Sequence, residues 1–253
     1  MSRTMIEIHP LTGLGEVVQG DDLGELFAGA MAPLGPHPGD VLVVTSKVVS
    51  KAEGRAAALA GVVPGSRARD IAAALGKDAR LVELVLGESA EVLRAERGVL
   101  ITRHRLGLVM ANAGIDCSNT GPNDGERALL LPLDPDGSAQ SIAAAVARRT
   151  GVAVAVVISD SFGRPWRHGV VNVAVGCAGL PAVHDKRGER DRDGRVLQAT
   201  QVAYGDLIAS AAGLAMGEAE EGVPAALVRG LLLPPGDAPA AALIRAVDED
   251  LFR

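Results

Sequence analysis

The side chains that could do chemistry in this chain are oxygen acids and cations set beside apolar runs. The stretch "VLVVTSKVVSKAEGR" (residues 41–55) closes an apolar run at Ser46 and places Lys47 and Lys51 just behind it. Lysines in that position either face water or neutralise a bound polyanion. Asp160 follows the run "VAVAVVIS", and Ser161 comes next. An acid at the exit of a buried strand is a good seat for a hard cation, because its position is fixed. It can equally cap the turn that follows. Asp116 lies in "GIDCSNTG" with Asn119 three residues on. A carboxylate and an amide so close could divide a ligand between them, or form a polar turn. "GEAEEG" adds Glu218, Glu220 and Glu221 behind a helical stretch. Acids there are either a solvated helix end or, opposed to the helix dipole, a call for a compensating cation. "GRPWRHG" puts Arg164, Arg167 and His168 after Asp160, where an anionic substrate would want cations.

Other motifs carry less. There is no G-x-x-x-x-G-K-[ST], and "GLGEVVQG" has the wrong spacing for a dinucleotide fingerprint. The amides of Leu14, Gly15, Glu16 and Val17 could still face a phosphate, as successive N–H groups in a turn do. Cys117 adjoins Asp116, whose carboxylate disfavours a thiolate and argues against a nucleophile. "DRDG" at residues 191–194 lacks the third ligand and closing Glu of a calcium loop.

These residues need elements to position them. "MIEIHPL" predicts a first strand, followed by a glycine-rich loop, and "DLGELFAGAMAPL" a helix that stops near Pro33 and Gly35. "GDVLVVTSK" reads as a strand. Residues 66–95 hold one or two amphipathic helices with Ser66 as N-cap. "GVLITRHRLGLVMANAGI" reads as a pair of strands, and "SAQSIAAAVARRTG" as a helix with a glycine stop. "VAVAVVISDS" is a continuous β-branched strand, buried on both faces. "FGRPWRHG" is expected to be a loop, "DKRGERDRDGR" a charged turn, "VAYGDLIASAAGLAMG" a helix, "PAALVRGL" a strand and "APAAALIRAVDEDLF" a surface helix. Strands and helices mix without strict βαβ alternation, so the expected class is α+β with a mixed sheet.

The bulk numbers exclude several functions. A chain of 253 residues can bury a substantial core in one large or two small domains. No run is long enough to span a membrane, "MSRTMIEIHP" lacks a signal-peptide block, and two cysteines are too few for a disulfide framework. A cytoplasmic protein is expected. The net charge of -6, with no long basic run, argues against a general nucleic-acid binder. Aromatics at 2% argue against base stacking as the main binding mode.

Taken in order, "TSKVVSK", "RLGLVMANAGIDCSN", "VVISDSFGRPWRHG", "AVGCAGL", "DGRVLQAT" and "MGEAEEGVPAALVRG" resemble the coenzyme F420-0:L-glutamate ligase family over residues 10–230. The resemblance implies a GTP-dependent enzyme that adds L-glutamate to the deazaflavin precursor coenzyme F420-0, then γ-linked glutamates, through an acyl phosphate. It implies an intertwined homodimer of mixed α+β fold, and one catalytic module over residues 1–253 that could divide into two subdomains. The nitroreductase-like domain of some bacterial relatives is not expected. GTP contacts would fall on Leu14, Gly15, Glu16, Val17, Ser46, Lys51, Asn119 and the stretch Met216, Gly217, Glu218, Ala219, Glu220, Glu221, Gly222 and Val223. Two divalent cations, Mn2+ or Mg2+, would be held by Asp116, Asp160, Ser161 and Glu218, with a monovalent cation as a further implied cofactor. Lys51, Asp116 and Asp160 would be catalytic. Glu218 stands where many relatives have glutamine, and His168 where "RNG" is more usual. The residues by themselves also admit a metal-dependent phosphotransferase or phosphatase of other specificity, or a non-catalytic nucleotide-binding dimer module.

Overall fold

The structure, a computed structural model, describes residues 5–118 and 126–250. Its elements in chain order are β1 (Glu7–Pro10), α1 (Leu23–Met31), β2 (Val41–Thr45), α2 (Ser46–Ala52), β3 (Ala56–Ala58), α3 (Ser66–Leu75), α4 (Ala79–Glu88), β4 (Ser89–Glu96), β5 (Val99–His104), β6 (Val109–Ala111), β7 (Arg127–Leu129), α5 (Pro135–Thr150), β8 (Ala155–Arg164), β9 (Arg167–Ala178), β10 (His184–Asp185), β11 (Gln201–Val202), α6 (Tyr204–Met216) and β12 (Ala225–Arg229). The main sheet runs β1-β12-β2-β8-β9; β2 and β8 are parallel and the other neighbours antiparallel. This is a mixed-sheet α+β fold.

Strand alternation explains the layers. Leu42, Val44, Val156, Ile158 and Leu227 point to one face, where they meet Phe27 and Met31 of α1 and Ala139, Ile142 and Val146 of α5. Val41, Val43, Val157, Ala226 and Val228 point to the other, against Ile208, Ala209, Ala212 and Met216 of α6. Both faces of β2 and β8 are therefore dry, and that is why their sequences are unbroken apolar runs. A separate core gathers Ala68, Ala72, Val82, Val85, Leu100 and Ile115 around α3, α4 and the β4-β5-β6 sheet.

Several expectations change. The segment after Thr45 is helix α2 and not the end of a strand; the valines of "SKVVSKA" favour strand locally, but Val48 and Val49 are buried in the main core. Residues 66–95 hold two helices followed by strand β4, and the N-cap of α3 is Gly65, with Ser66 the first helical residue. "FGRPWRHG" is no loop: β8 and β9 continue as a hairpin ribbon to the Arg164–Arg167 pair, turning through Pro165 and Trp166. Among the described residues, the tail forms the 3-10 turns Ala240–Leu243 and Val247–Glu249 and no α-helix. Its Ala240 and Ala241 amides donate to the Asp136 carboxylate, and Pro181 bridges Ala238, so tertiary bonds outbid the helix propensity of the alanines. α5 stops at Gly151 in the left-handed conformation, as its sequence predicts. Among the described residues, no helix is long and apolar enough to cross a membrane.

Candidate active site

The register of the two parallel strands builds the site. Thr45 lies opposite Ser159, so Ser46, where β2 gives way to α2, stands beside Asp160, where β8 runs on paired with β9 alone. Ser46 Oγ donates to Asp160 Oδ1 at 2.8 Å. Burial pushes the Asp160 carboxyl up to about 6, against the opposing bonds from Ser46 and the Ser161 amide; the nearby Asp116 charge pushes the same way as burial. A register shift between Ile158 and Ser159 lies just before the acid.

Asp116 comes from a different part of the chain. It follows two non-glycine residues of positive φ, Asn112 and Ala113, a rare backbone conformation that turns the chain after β6. Reciprocal backbone bonds with Leu129 then fasten it. Its Oδ1 accepts from the Ser118 amide at 2.7 Å, and its Oδ2 receives the Lys47 ammonium at 2.7 Å. Lys47 also donates to Ser118 Oγ at 3.1 Å. Burial would raise the Asp116 pKa, but Lys47 and the Ser118 amide outweigh it and hold the group below its ordinary value. The same Asp116 charge, with burial, raises the Cys117 thiol, in line with an inert cysteine.

One cleft of about 560 Å³ unites most of the candidates. Leu14, Gly15, Glu16 and Val17 line one wall, Ser46 and Lys51 the floor with Asp160 and Ser161, and Met216, Gly217, Glu218, Ala219, Glu220, Glu221, Gly222 and Val223 the other wall. Both walls are anchored: Leu11 N–H donates to Ala225 and Gly20 N–H to Ala52, while Thr45 N–H donates to Pro224. Lys51 Nζ meets Glu16 Oε1 at 2.5 Å across the cleft. Ser161 Oγ donates to Glu218 Oε2 at 2.6 Å, and Asn172 Nδ2 to Ser161 Oγ at 3.4 Å. The acids after α6 are thus met by a hydroxyl and, for Glu221, by the Ala219 amide. Asn119 lies outside the described residues. Asp116 reaches the cleft through Lys47, which lines it.

Arg164, Arg167 and His168 do not join the cleft lining. Asp160 pairs with Val173, whereas Arg164 pairs with Arg167 at the ribbon tip, four residues and about 13 Å further along the strand. The lining residues to which the sequence gave no role are Thr45, Val48, Ser159, Asn172 and Pro224. Lys47 was visible beside Lys51; its acid partner was not, because 69 residues separate them, 116 less 47.

The residues that could hold a cation, Asp116, Asp160, Ser161 and Glu218, all offer hard oxygens. Among the described residues no three His, Cys, Asp or Glu side chains converge tightly enough to hold an ion by themselves. Such a donor set fits Mg2+ or Mn2+, which keep water and substrate oxygens in their shells, and does not fit a closed zinc centre. The half-buried Asp160 carboxyl, bonded to a hydroxyl and an amide, can accept added positive charge.

Fold and cleft together define an α+β protein with a cleft lined by both carboxylates and lysines. The profile described as F420-0:Gamma-glutamyl ligase matches residues 13–230. The protein named "Coenzyme F420:L-glutamate ligase" from Methanothermobacter thermautotrophicus is 44% identical, covering 98% of this chain and 99% of its own. The protein of the same name from Methanopyrus kandleri is 44% identical over 98% of each chain. That from Halobacterium salinarum is 46% identical over 95% of this chain and 93% of its own. The chain belongs to the F420-0:gamma-glutamyl ligase family.

Proposed function

We propose that the chain is a GTP-dependent ligase that adds L-glutamate to coenzyme F420-0, and then further glutamates through γ-linkages. The observation that carries this reading is the single cleft in which residues 14–17 and 216–223 meet Ser46, Lys51, Asp160 and Ser161, in a chain of this family. A carboxylate is a poor acyl donor because oxide would have to leave. Its oxygen attacks the γ-phosphorus of GTP, GDP departs, and an acyl phosphate forms. The glutamate amine then attacks the acyl carbon, loses a proton, and expels inorganic phosphate to leave the amide.

The chain's own groups have definite tasks. Lys51 exchanges Glu16 for a phosphate oxygen and supplies point charge there. Ser46 fixes the Asp160 carboxylate and lies within reach of the same phosphates. Residues 14–17 offer backbone amides to the nucleotide. Asp116 and Asp160 would hold one divalent cation, and Ser161 with Glu218 a second. Bound there, Mg2+ or Mn2+ would neutralise the phosphates and make phosphorus more electrophilic. Asn119 is proposed to read the base or ribose, and two copies of the chain are proposed to pair as a homodimer.

Purified protein mixed with GTP, Mg2+ or Mn2+, glutamate and coenzyme F420-0 should yield product heavier by one or more glutamyl units in mass spectrometry. GDP release that ignores glutamate would instead mark a phosphotransferase or phosphatase. Nucleotide binding without turnover would mark a non-catalytic module.

A further inference from the structure

We propose that Lys47 and a divalent cation compete for Asp116, so that cation loading moves the Lys47 ammonium off the carboxylate and into the cleft, where it contacts a phosphate. This rests on the ligase reading above. Lys47 sits in the first turn of α2, the end at which the helix dipole disfavours a cation. It is held there by Asp116 Oδ2 at 2.7 Å and Ser118 Oγ at 3.1 Å. The other carboxylate oxygen, Oδ1, accepts the Ser118 amide, and Oδ2 also accepts the Ser118 hydroxyl at 3.0 Å. A hard cation that takes Oδ2 must therefore displace the ammonium, because two like charges a few ångströms apart in a half-buried site repel.

The displaced group has somewhere to go. The Lys47 side chain is 34% exposed and lines the cleft, so its flexible stem can turn without backbone movement. Lys47 and Lys51 are four residues apart on α2 and share one helix face. The freed ammonium thus arrives on the side where Lys51 already stands, and two positive charges face the transferring phosphate.

The probe is Mn2+ alone, titrated without nucleotide into full-length protein and followed by the electron paramagnetic resonance of the free ion. Lys47→Met should bind Mn2+ about two- to fivefold more tightly than the wild type, the worth of a partly exposed ion pair. Lys47→Arg, which keeps the charge, should show no such gain. In an Asp116→Asn background Lys47→Met should change nothing. With GTP and glutamate present, Lys47→Met should lower kcat more than it changes KM. Unchanged or weaker Mn2+ binding by a folded Lys47→Met overturns the proposal while Asp116-dependent binding survives. Failure of the wild type to bind Mn2+ through Asp116 and Asp160 overturns the proposal and the metal part of the ligase reading together.

Discussion

Two acid sites are tied to the two ends of α2, Asp160 through Ser46 at its start and Glu88 through Arg55 just past its end, and their chemistry is opposite. At one, Glu88 is surrounded by protein cations. Arg55 bonds it at 2.7 Å and Arg105 at 3.2 Å, while fully buried His104 lies 3.3 Å away. The His104 Nδ1 accepts the Leu106 amide, so the ring is neutral with its proton on Nε2, toward Glu88. Burial would raise the Glu88 pKa, but Arg55 and Arg105 outweigh it. At the other, Asp160 has a hydroxyl and an amide and is driven up to about 6 by burial. A buried carboxylate supplied with its own cations holds a fold together. One supplied mainly with neutral donors keeps its capacity for a charged visitor.

The comparison can be broken in four places. Asp160→Ala should reduce glutamate-dependent GDP release by about a hundredfold or more while leaving the circular dichroism spectrum intact, since positioned electrostatics contribute several kcal/mol to a rate. Near-normal turnover would put Asp160 in the same category as a structural acid. Glu88→Ala should do the reverse. It strands two arginines in a largely buried site and should lower stability in urea unfolding by about 3 kcal/mol, with KM for GTP little changed in whatever fraction stays folded.

The pH profiles should also part. The Asp160 pKa is raised from 3.8 to about 6, so the folded chain holds that proton more tightly than the unfolded one. The stabilisation is full below 3.8 and is lost as pH climbs through 6; Asp160→Asn should remove that slope from a series of melting curves. The Glu88 pKa is lowered from 4.5, so its contribution is full above that value and is lost as pH falls through the lower folded value. The smallest effect belongs to Glu16→Gln. Releasing Lys51 from an exposed partner should tighten a non-hydrolysable GTP analogue about two- to fivefold, read by calorimetry; weaker binding would make Glu16 a nucleotide contact and not a competitor.

How much of this was legible in the sequence depends on how local each cause is. The β8 run announced its double burial, because both neighbouring layers are apolar and leave no polar alternation to confuse it. α2 was hidden, because valines that prefer strand are held in helix by the core behind them. The ribbon of β8 and β9 was mistaken for a loop through its Gly and Pro, which sit near its turn. For the site, Ser46, Lys51 and Asp160 could be picked out because they follow continuous apolar runs, although α2 carries Lys51 and β8 runs on past Asp160. The Lys47–Asp116 pair could not, since its geometry comes from the turn at Asn112 and Ala113 and from the bonds to Leu129.

The register shift ahead of Asp160 has a consequence for how this chain tolerates change. Ile158 faces Gly176 but Ser159 faces Ala174, so Val175 has no opposite number in β8. Such an extra residue bends and twists a ribbon. The direction in which the acid points from the ribbon is thus set partly by counting along the adjacent strand. Losing a single codon at position 175 would re-aim residue 160 without altering any group inside the cleft, whereas exchanging Val175 for another apolar side chain would leave that aim alone.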